Sequence, residues 1–169
     1  DCGEHGGSVV TSSIDRRERI AFLARVVERE CRHLASTDRR LFSIEFDGER
    51  ARTLADDQDL ADRVEAFVSR FARLQDTLGG KLLPALLDAF GEPTGLMIDN
   101  LDRAERLGWI ESAERWMQVR SLRNRMVHDY VEDPALLASA IAAGHAYTPV
   151  LLRAAEAMLG AWQARSGLV

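Results

Sequence analysis

The feature that most constrains the fold is the spacing of apolar residues in the second quarter of the chain. Six of them recur at alternating intervals of four and three residues: Leu60, Val64, Phe67, Phe71, Leu74 and Leu78. At about 3.6 residues per turn, this spacing puts all six on one face of an α-helix, as in the seam of a helical bundle. The stretch is therefore predicted to be a core helix of a bundle.

Other parts of the chain carry the same helical period. An earlier amphipathic stripe consists of Ile20, Leu23, Val27, Cys31 and Leu34. Further helical segments are predicted at 81–90, after an interruption at Gly79-Gly80, at 94–108 and at about 112–130. A last long segment follows Asp133-Pro134, and Pro149 is expected to kink or divide it.

These segments predict an all-α protein, an up-down bundle of four to five main helices. A chain of 169 residues is long enough to bury one core, and no repeat or interdomain linker divides it. We therefore predict a single helical domain at 14–165. Residues 1–13, which begin rich in glycine and polar residues, are predicted to be a flexible tail.

The segment 41–54 breaks the helical period. Phe42, Ile44 and Phe46 alternate with polar residues, and Asp47-Gly48 is a strong two-residue turn signal. A short β-hairpin or extended excursion is predicted here, although two strands alone are marginally stable.

The helix at about 112–130 carries the most distinctive side chains. On a helical wheel its apolar arc consists of Trp116, Val119, Leu122, Met126 and Val127. Arg123 and Tyr130 fall within the same arc. A core-facing arginine is costly unless its charge meets a partner or a polar cavity, and Asp76 or Asp102 could supply that partner.

Charge and spacing single out the end of this helix. From Arg115 to His128 there are four arginines and no acid, although the whole chain has a net charge of -5. Asn124 and His128 are four residues apart, so they can act on one ligand. Arg123 and His128 are five apart, or about 140° around the helix, so one chain does not present them on a single face.

The octapeptide from Arg123 to Tyr130 reads arginine, four residues, histidine, one residue, tyrosine, with asparagine directly after the arginine. It resembles the signature of HEPN domains, and its Arg-x4-His-x-Tyr form resembles HepT-like toxins, which are paired with a small nucleotidyltransferase antitoxin. The resemblance extends from Leu60 to about Trp162. It includes Leu107-Gly108-Trp109-Ile110 before the helix and Asp133-Pro134 after it.

The resemblance implies a metal-independent endoribonuclease whose catalytic pair is Arg123 and His128, with Asn124 orienting the histidine or the phosphate. The residue types suit this chemistry, because histidine titrates near neutrality and arginine binds phosphate bidentately. HEPN proteins usually dimerise with their motifs facing each other, so the resemblance implies a homodimer with RNA in the shared groove. Arg120 and Arg125 would bind RNA phosphates at its rim, while for Arg125 a solvated surface arginine is an equally good interpretation.

In HepT-like proteins the motif tyrosine is also a site at which the antitoxin attaches AMP. The resemblance thus implies that Tyr130 is modified by a cognate nucleotidyltransferase partner. The residue pattern alone favours a tyrosine packed against Trp116 or Trp109.

Other site classes find little support in the sequence. Asp56, Asp57 and Asp59 cluster at the head of a helix, where capping is favoured over metal binding, so no metal or cofactor is predicted. The chain's two cysteines, Cys2 and Cys31, form no Cys-x-x-Cys pair. No signal peptide and no uninterrupted apolar run of membrane-spanning length are recognised, so we expect a cytoplasmic protein that does not contact a membrane.

Two alternatives to a ribonuclease stay open. The same fold could form a non-catalytic subunit that binds nucleotide or substrate for a nucleotidyltransferase. The bundle could also be a scaffold in which the motif is coincidental.

Overall fold

A computed structural model describes residues 6–129 and 133–167, and helices dominate both ranges. The helices are α1 (Gly6–Leu41), α2 (Gly48–Arg52), α3 (Gln58–Thr77), α4 (Leu83–Ala89), α5 (Met97–Arg106), α6 (Ala113–Asp129) and α7 (Pro134–Ser166). A 3-10 turn at Thr53–Ala55 precedes α3, and a π-helical turn at Leu78–Leu82 joins α3 to α4. The described residues contain no strand, which confirms the predicted all-α helical bundle.

The core forms where α1, α3, α6 and α7 pack together. All six residues of the predicted seam on α3 are buried, Leu78 at the start of the π turn included. Gly144 of α7 is the point of closest approach, because a Cβ there would lie 2.9 Å from the Phe67 ring and 3.0 Å from the Met126 sulfur. The motif helix α6 is thereby held against both α3 and α7.

The predicted hairpin at 41–54 is wrong. Asp47 instead caps helix α2, since its carboxylate accepts the backbone N–H of Arg50 at 2.8 Å. The Arg50 guanidinium donates to the carbonyl oxygens of Leu41 and Ile44 at 2.7 and 2.6 Å, which satisfies the end of α1 without a partner strand. Asp-Gly is therefore the start of a helix here, a role for which aspartate is as well suited as for a turn.

The start of α1 differs from expectation, whereas the start of α7 agrees with it. Helix α1 begins at Gly6, so residues 6–13 are helical where a tail was expected, and residues 1–5 lie outside the described ranges. Helix α7 starts as predicted, with Asp133 as N-cap and Pro134 in the first turn. Pro149 does not divide it, and α7 runs through to Ser166.

The Gly79-Gly80 pair does not interrupt the helical path from α3 to α4 either. It lies in the π turn, which carries the chain from α3 into α4 without a loop. A Cβ on Gly79 would lie 3.1 Å from Nε1 of Trp116, tighter than most side-chain contacts allow. The glycine therefore lets α6 approach the π turn closely.

Helix α7 is long and apolar enough to cross a membrane by length and composition alone. Within the bundle, 44% of its apolar window is buried. The buried side packs against α1, α2 and α6.

Candidate functional site

The motif helix presents its apolar arc to the core, with one exception. Ser112 caps the helix by accepting the backbone N–H of Arg115 at 3.2 Å. Trp116, Val119, Leu122 and Met126 are buried as predicted, whereas Val127 is 49% exposed. Val127 lines a groove between α3 and α6, so this side of the arc is open to ligands.

Arg123 is held at the edge of that groove by two partners. Its Nη2 donates to Oδ2 of Asp76 on α3 at 2.7 Å, and its Nη1 donates to Oδ1 of Asn124 at 3.0 Å. The Arg123 side chain is 31% exposed, while its Nε is buried without a hydrogen-bond partner among the described residues. Asp76, one of the two carboxylates suggested by the sequence, is thus the partner of the core-facing arginine.

The remaining motif residues divide between the surface and the helix packing. Asn124, Arg125 and His128 are exposed on α6. Arg120 is half-buried, and its Nη1 lies 3.0 Å from the Met97 sulfur at the start of α5, so it faces α5. Tyr130, the predicted modification site, lies outside the described residues.

The spacing of Arg123 and His128 limits what one chain can do with them. Both lie within the continuous helix α6. Five residues of α-helix separate their Cα atoms by about 7.5 Å along the axis and about 140° around it. The structure joins Arg123 to Asn124 and Asp76 but shows no hydrogen bond between Arg123 and His128 in the described ranges.

The groove beside Arg123 has a volume of about 600 Å³. We call it the α3–α6 groove; it is lined by Glu65, Val68, Ser69, Ala72, Arg73, Asp76, Thr77, Lys81, Met126 and Val127. Its floor is apolar, and charged side chains of both signs stand around it. Asp76 belongs both to this lining and to the pair with Arg123, so the groove and the motif form one continuous surface.

Glu30 of α1 lies beneath this surface. Its Oε1 is 3.2 Å from the Thr77 hydroxyl, and its Oε2 is buried without a hydrogen-bond partner among the described residues. Burial raises the pKa of Glu30, and the Thr77 hydrogen bond and the charges of Arg73 and Lys81 lower it in part. A half-buried carboxylate thus contacts the groove residue Thr77 from inside the bundle.

The sequence gives little sign of the groove and its charged residues. Glu65, Arg73 and Lys81 look like ordinary surface positions in the sequence, and Asp76 was considered only as a structural partner. The heptad-like spacing could have shown that Glu65, Ser69, Ala72 and Asp76 share a flank of α3. It could not show that α6 leaves this flank uncovered.

Metal binding finds no support in the described ranges, where no group of three or more His, Cys, Asp or Glu side chains could hold an ion. Asp57 instead caps α3 by accepting the Leu60 N–H at 3.0 Å, as predicted for the aspartate cluster.

Comparison of the chain with protein-family models, with curated proteins and with solved structures finds no match.

Proposed function

We propose that this protein is a metal-independent endoribonuclease of the HEPN, HepT-like kind, acting through Arg123, Asn124 and His128. The observation that carries the proposal is the state of Arg123. Its guanidinium is steadied by Asp76 and Asn124 at the edge of a groove, and it keeps part of its surface open to solvent. An arginine held in this way can bind a phosphate without first being ordered.

The chemistry needs only these side chains and the RNA itself. The ribose 2′-oxygen attacks phosphorus as its proton leaves to a base, and the bond from phosphorus to the 5′-oxygen breaks as that oxygen gains a proton. His128 is suited to these proton transfers, and Arg123 stabilises the charge that builds on the phosphate. The products are a 2′,3′-cyclic phosphate and a 5′-hydroxyl.

A homodimer completes the site in this proposal. Arg123 and His128 lie about 140° apart on one helix, so two motif helices facing each other place an arginine and a histidine on opposite walls of one cleft. The exposed Val127 lies between them in sequence and supplies apolar area for the contact. Arg125 contributes positive charge at the rim, while Arg120 contributes to the packing of α6 on α5.

The decisive experiment is cleavage of mixed RNA by the purified protein in excess EDTA, with wild type beside His128→Ala. Activity should persist in EDTA and leave 2′,3′-cyclic phosphate ends, and His128→Ala should be slower by about 10²-fold or more. Activity that requires added magnesium, or a fully active His128→Ala variant, would refute the mechanism.

Control of the nuclease is proposed to act through Tyr130. A cognate nucleotidyltransferase partner would transfer AMP from ATP to the tyrosine oxygen and release pyrophosphate, adding a negative charge two residues beyond His128. Incubation with the partner and ATP should add about 329 Da per AMP and reduce cleavage, whereas Tyr130→Phe should stay active and unmodified. An adduct at another residue would refute this role for Tyr130.

A second candidate function is supported by the Arg123–Asp76 pair. Because a carboxylate already neutralises much of the Arg123 charge, the site also suits a non-catalytic subunit that holds nucleotide or substrate for a nucleotidyltransferase. Such a protein would bind RNA or nucleotide in EDTA without cleaving it.

A further inference from the structure

The α3–α6 groove adjoins the Arg123 guanidinium through its lining residue Asp76. We infer that this groove is a nucleoside-binding subsite, which receives the ribonucleotide whose 3′-phosphate is bound by Arg123. The inference rests on the proposed function, which identifies the phosphate as that of an RNA substrate. It adds a nucleoside ligand and a set of residues outside the motif.

The size and floor of the groove fit a nucleoside. Its volume of about 600 Å³ falls within the roughly 300–1,000 Å³ range of small-molecule sites. The apolar lining comes from Val68 and Ala72 on α3 and from Met126 and Val127 on α6.

The charged lining fits a ligand that carries an anionic group together with hydrogen-bond donors. Arg73 and Lys81 line the groove, and Arg123 adjoins it through Asp76, so cations that can pair with a phosphate lie in and beside the groove. Glu65 and Asp76 are acceptors, suited to sugar hydroxyls or exocyclic amino groups. A mixed lining of this kind disfavours a polyphosphate and favours a single nucleoside phosphate.

The arrangement is also directional. Asp76 lines the groove and also pairs with Arg123. A nucleotide whose phosphate lies at Arg123 can therefore place its base in the adjacent groove. Lys81 is held in the π turn, where the backbone is fixed on both sides by helix. The groove cations are therefore anchored on helical backbone.

The test is binding of a nucleoside 3′-monophosphate to the full chain in EDTA, measured by titration calorimetry or ligand-detected NMR. Ser69→Trp places an indole in the groove from an exposed position, and Ser139→Trp on α7 is the matched control at an exposed position outside the groove lining. We expect Ser69→Trp to weaken binding at least tenfold and Ser139→Trp to leave it unchanged. Circular dichroism checks that both variants are folded.

A second variant addresses the phosphate independently of groove filling. Lys81→Gln should weaken binding of the 3′-monophosphate several-fold and leave binding of the unphosphorylated nucleoside unchanged. No binding to the wild type at millimolar ligand, or equal binding by wild type and Ser69→Trp, overturns the inference.

The outcomes separate this inference from the proposed function. Groove-dependent nucleotide binding without RNA cleavage would refute the nuclease and keep the subsite. RNA cleavage that Ser69→Trp and Lys81→Gln leave unchanged would keep the nuclease and refute the subsite.

Discussion

At the residue scale, Arg123 has two competing uses. The Asp76 carboxylate that orients its guanidinium also neutralises charge that a bound phosphate would otherwise meet. The side chains of Arg123 and Asp76 are 31% and 53% exposed, so water and salt screen the pair and its contribution to stability is at most about 1 kcal/mol. The pair is therefore weak enough to be exchanged for a phosphate.

Replacing Asp76 by asparagine tests this exchange. Asp76→Asn keeps an oxygen that can accept from Arg123 and removes the competing charge, so RNA affinity should rise several-fold while stability to urea falls by less than about 1 kcal/mol. Fluorescence anisotropy with labelled RNA, in a His128→Ala background that prevents cleavage, measures the affinity. Asp62→Asn, on the same helix outside the groove lining, is the control. Equal gains in the two variants would mean that the affinity is set by net charge rather than by competition between Asp76 and RNA phosphate for Arg123.

Glu30 gives a prediction for the dependence of stability on pH. Because burial raises the pKa of this carboxyl above its usual 4.5, the folded state binds the proton more tightly than the unfolded state does. On acidification, Glu30 therefore adds stability as pH falls through the folded pKa towards 4.5, and its contribution is constant below that. Glu30→Gln removes this titration. Urea midpoints measured between pH 7 and pH 4 should show the variant losing stability relative to wild type as pH falls, and a constant difference would contradict the prediction.

Cys31 should be an unreactive thiol. Burial, with the charges of Glu30 and Glu28, raises its pKa to about 11. Compared with an ordinary thiol, whose pKa is 9.0, Cys31 has a thiolate fraction at pH 7.5 that is lower by about 100-fold, and its alkylation should slow accordingly. Iodoacetamide kinetics on a Cys2→Ser variant, before and after denaturation, measure the difference. Equal rates in the two states would contradict the burial of the Cys31 thiol.

At the scale of elements, the close packing of α3, α6 and α7 depends on the absence of a side chain at Gly144. Gly144 lies where the Phe67 ring and the Met126 sulfur leave no room for a Cβ. In an open helical position alanine is more stable than glycine by about 1 kcal/mol. Replacing glycine by alanine should therefore stabilise the fold at an open site and destabilise it at a crowded one.

Two substitutions in α7 test this difference. Gly144→Ala should destabilise the fold by about 1–3 kcal/mol, because Phe67 and Met126 must move. Gly160→Ala, where a Cβ would meet nothing within 4 Å, should stabilise it by up to about 1 kcal/mol. Urea unfolding of both variants measures the two changes. A stabilised Gly144→Ala would show that the crossing is looser than the distances indicate.

The helices were predictable from the sequence to the extent that burial follows periodicity. The α3 seam and the start of α7 at Asp133-Pro134 were predicted because an apolar stripe and a cap are local signals. The Asp47-Gly48 error has a local cause as well, since the same pair can begin a helix or a turn and the choice depends on where Arg50 reaches. Asp76 and Arg123 are 47 residues apart, and no spacing rule says that their helices leave a groove between them.

At the scale of the whole molecule, exposed apolar residues identify surfaces that another copy could cover. Val127, within the motif, is an apolar side chain that is 49% exposed, and Phe22 on α1 is 57% exposed. The proposed function requires that copies meet at the first of these.

The homodimer prediction follows from this requirement. Wild-type protein should sediment as a dimer at tens of micromolar, where a micromolar interface is mostly formed. Val127→Glu should raise the dissociation constant at least tenfold, because it buries a carboxylate in the contact, and Phe22→Glu should not. A monomeric wild type, or dissociation by Phe22→Glu alone, would place the interface elsewhere or remove it.

The π turn at Leu78–Leu82 makes the site sensitive to chain length. A π turn holds one residue more than regular α-helix, so the apolar stripe of α3 and that of α4 are out of phase by about 100°. This shift is what leaves Lys81 outside while Leu82, Leu83, Leu86 and Leu87 are all buried. Deleting Gly80 would let the helix run through in regular α geometry, and it would turn the α4 stripe away from the core or the groove flank of α3 away from α6. Deleting one residue would therefore disrupt the groove, whereas most substitutions in the turn would leave it in place.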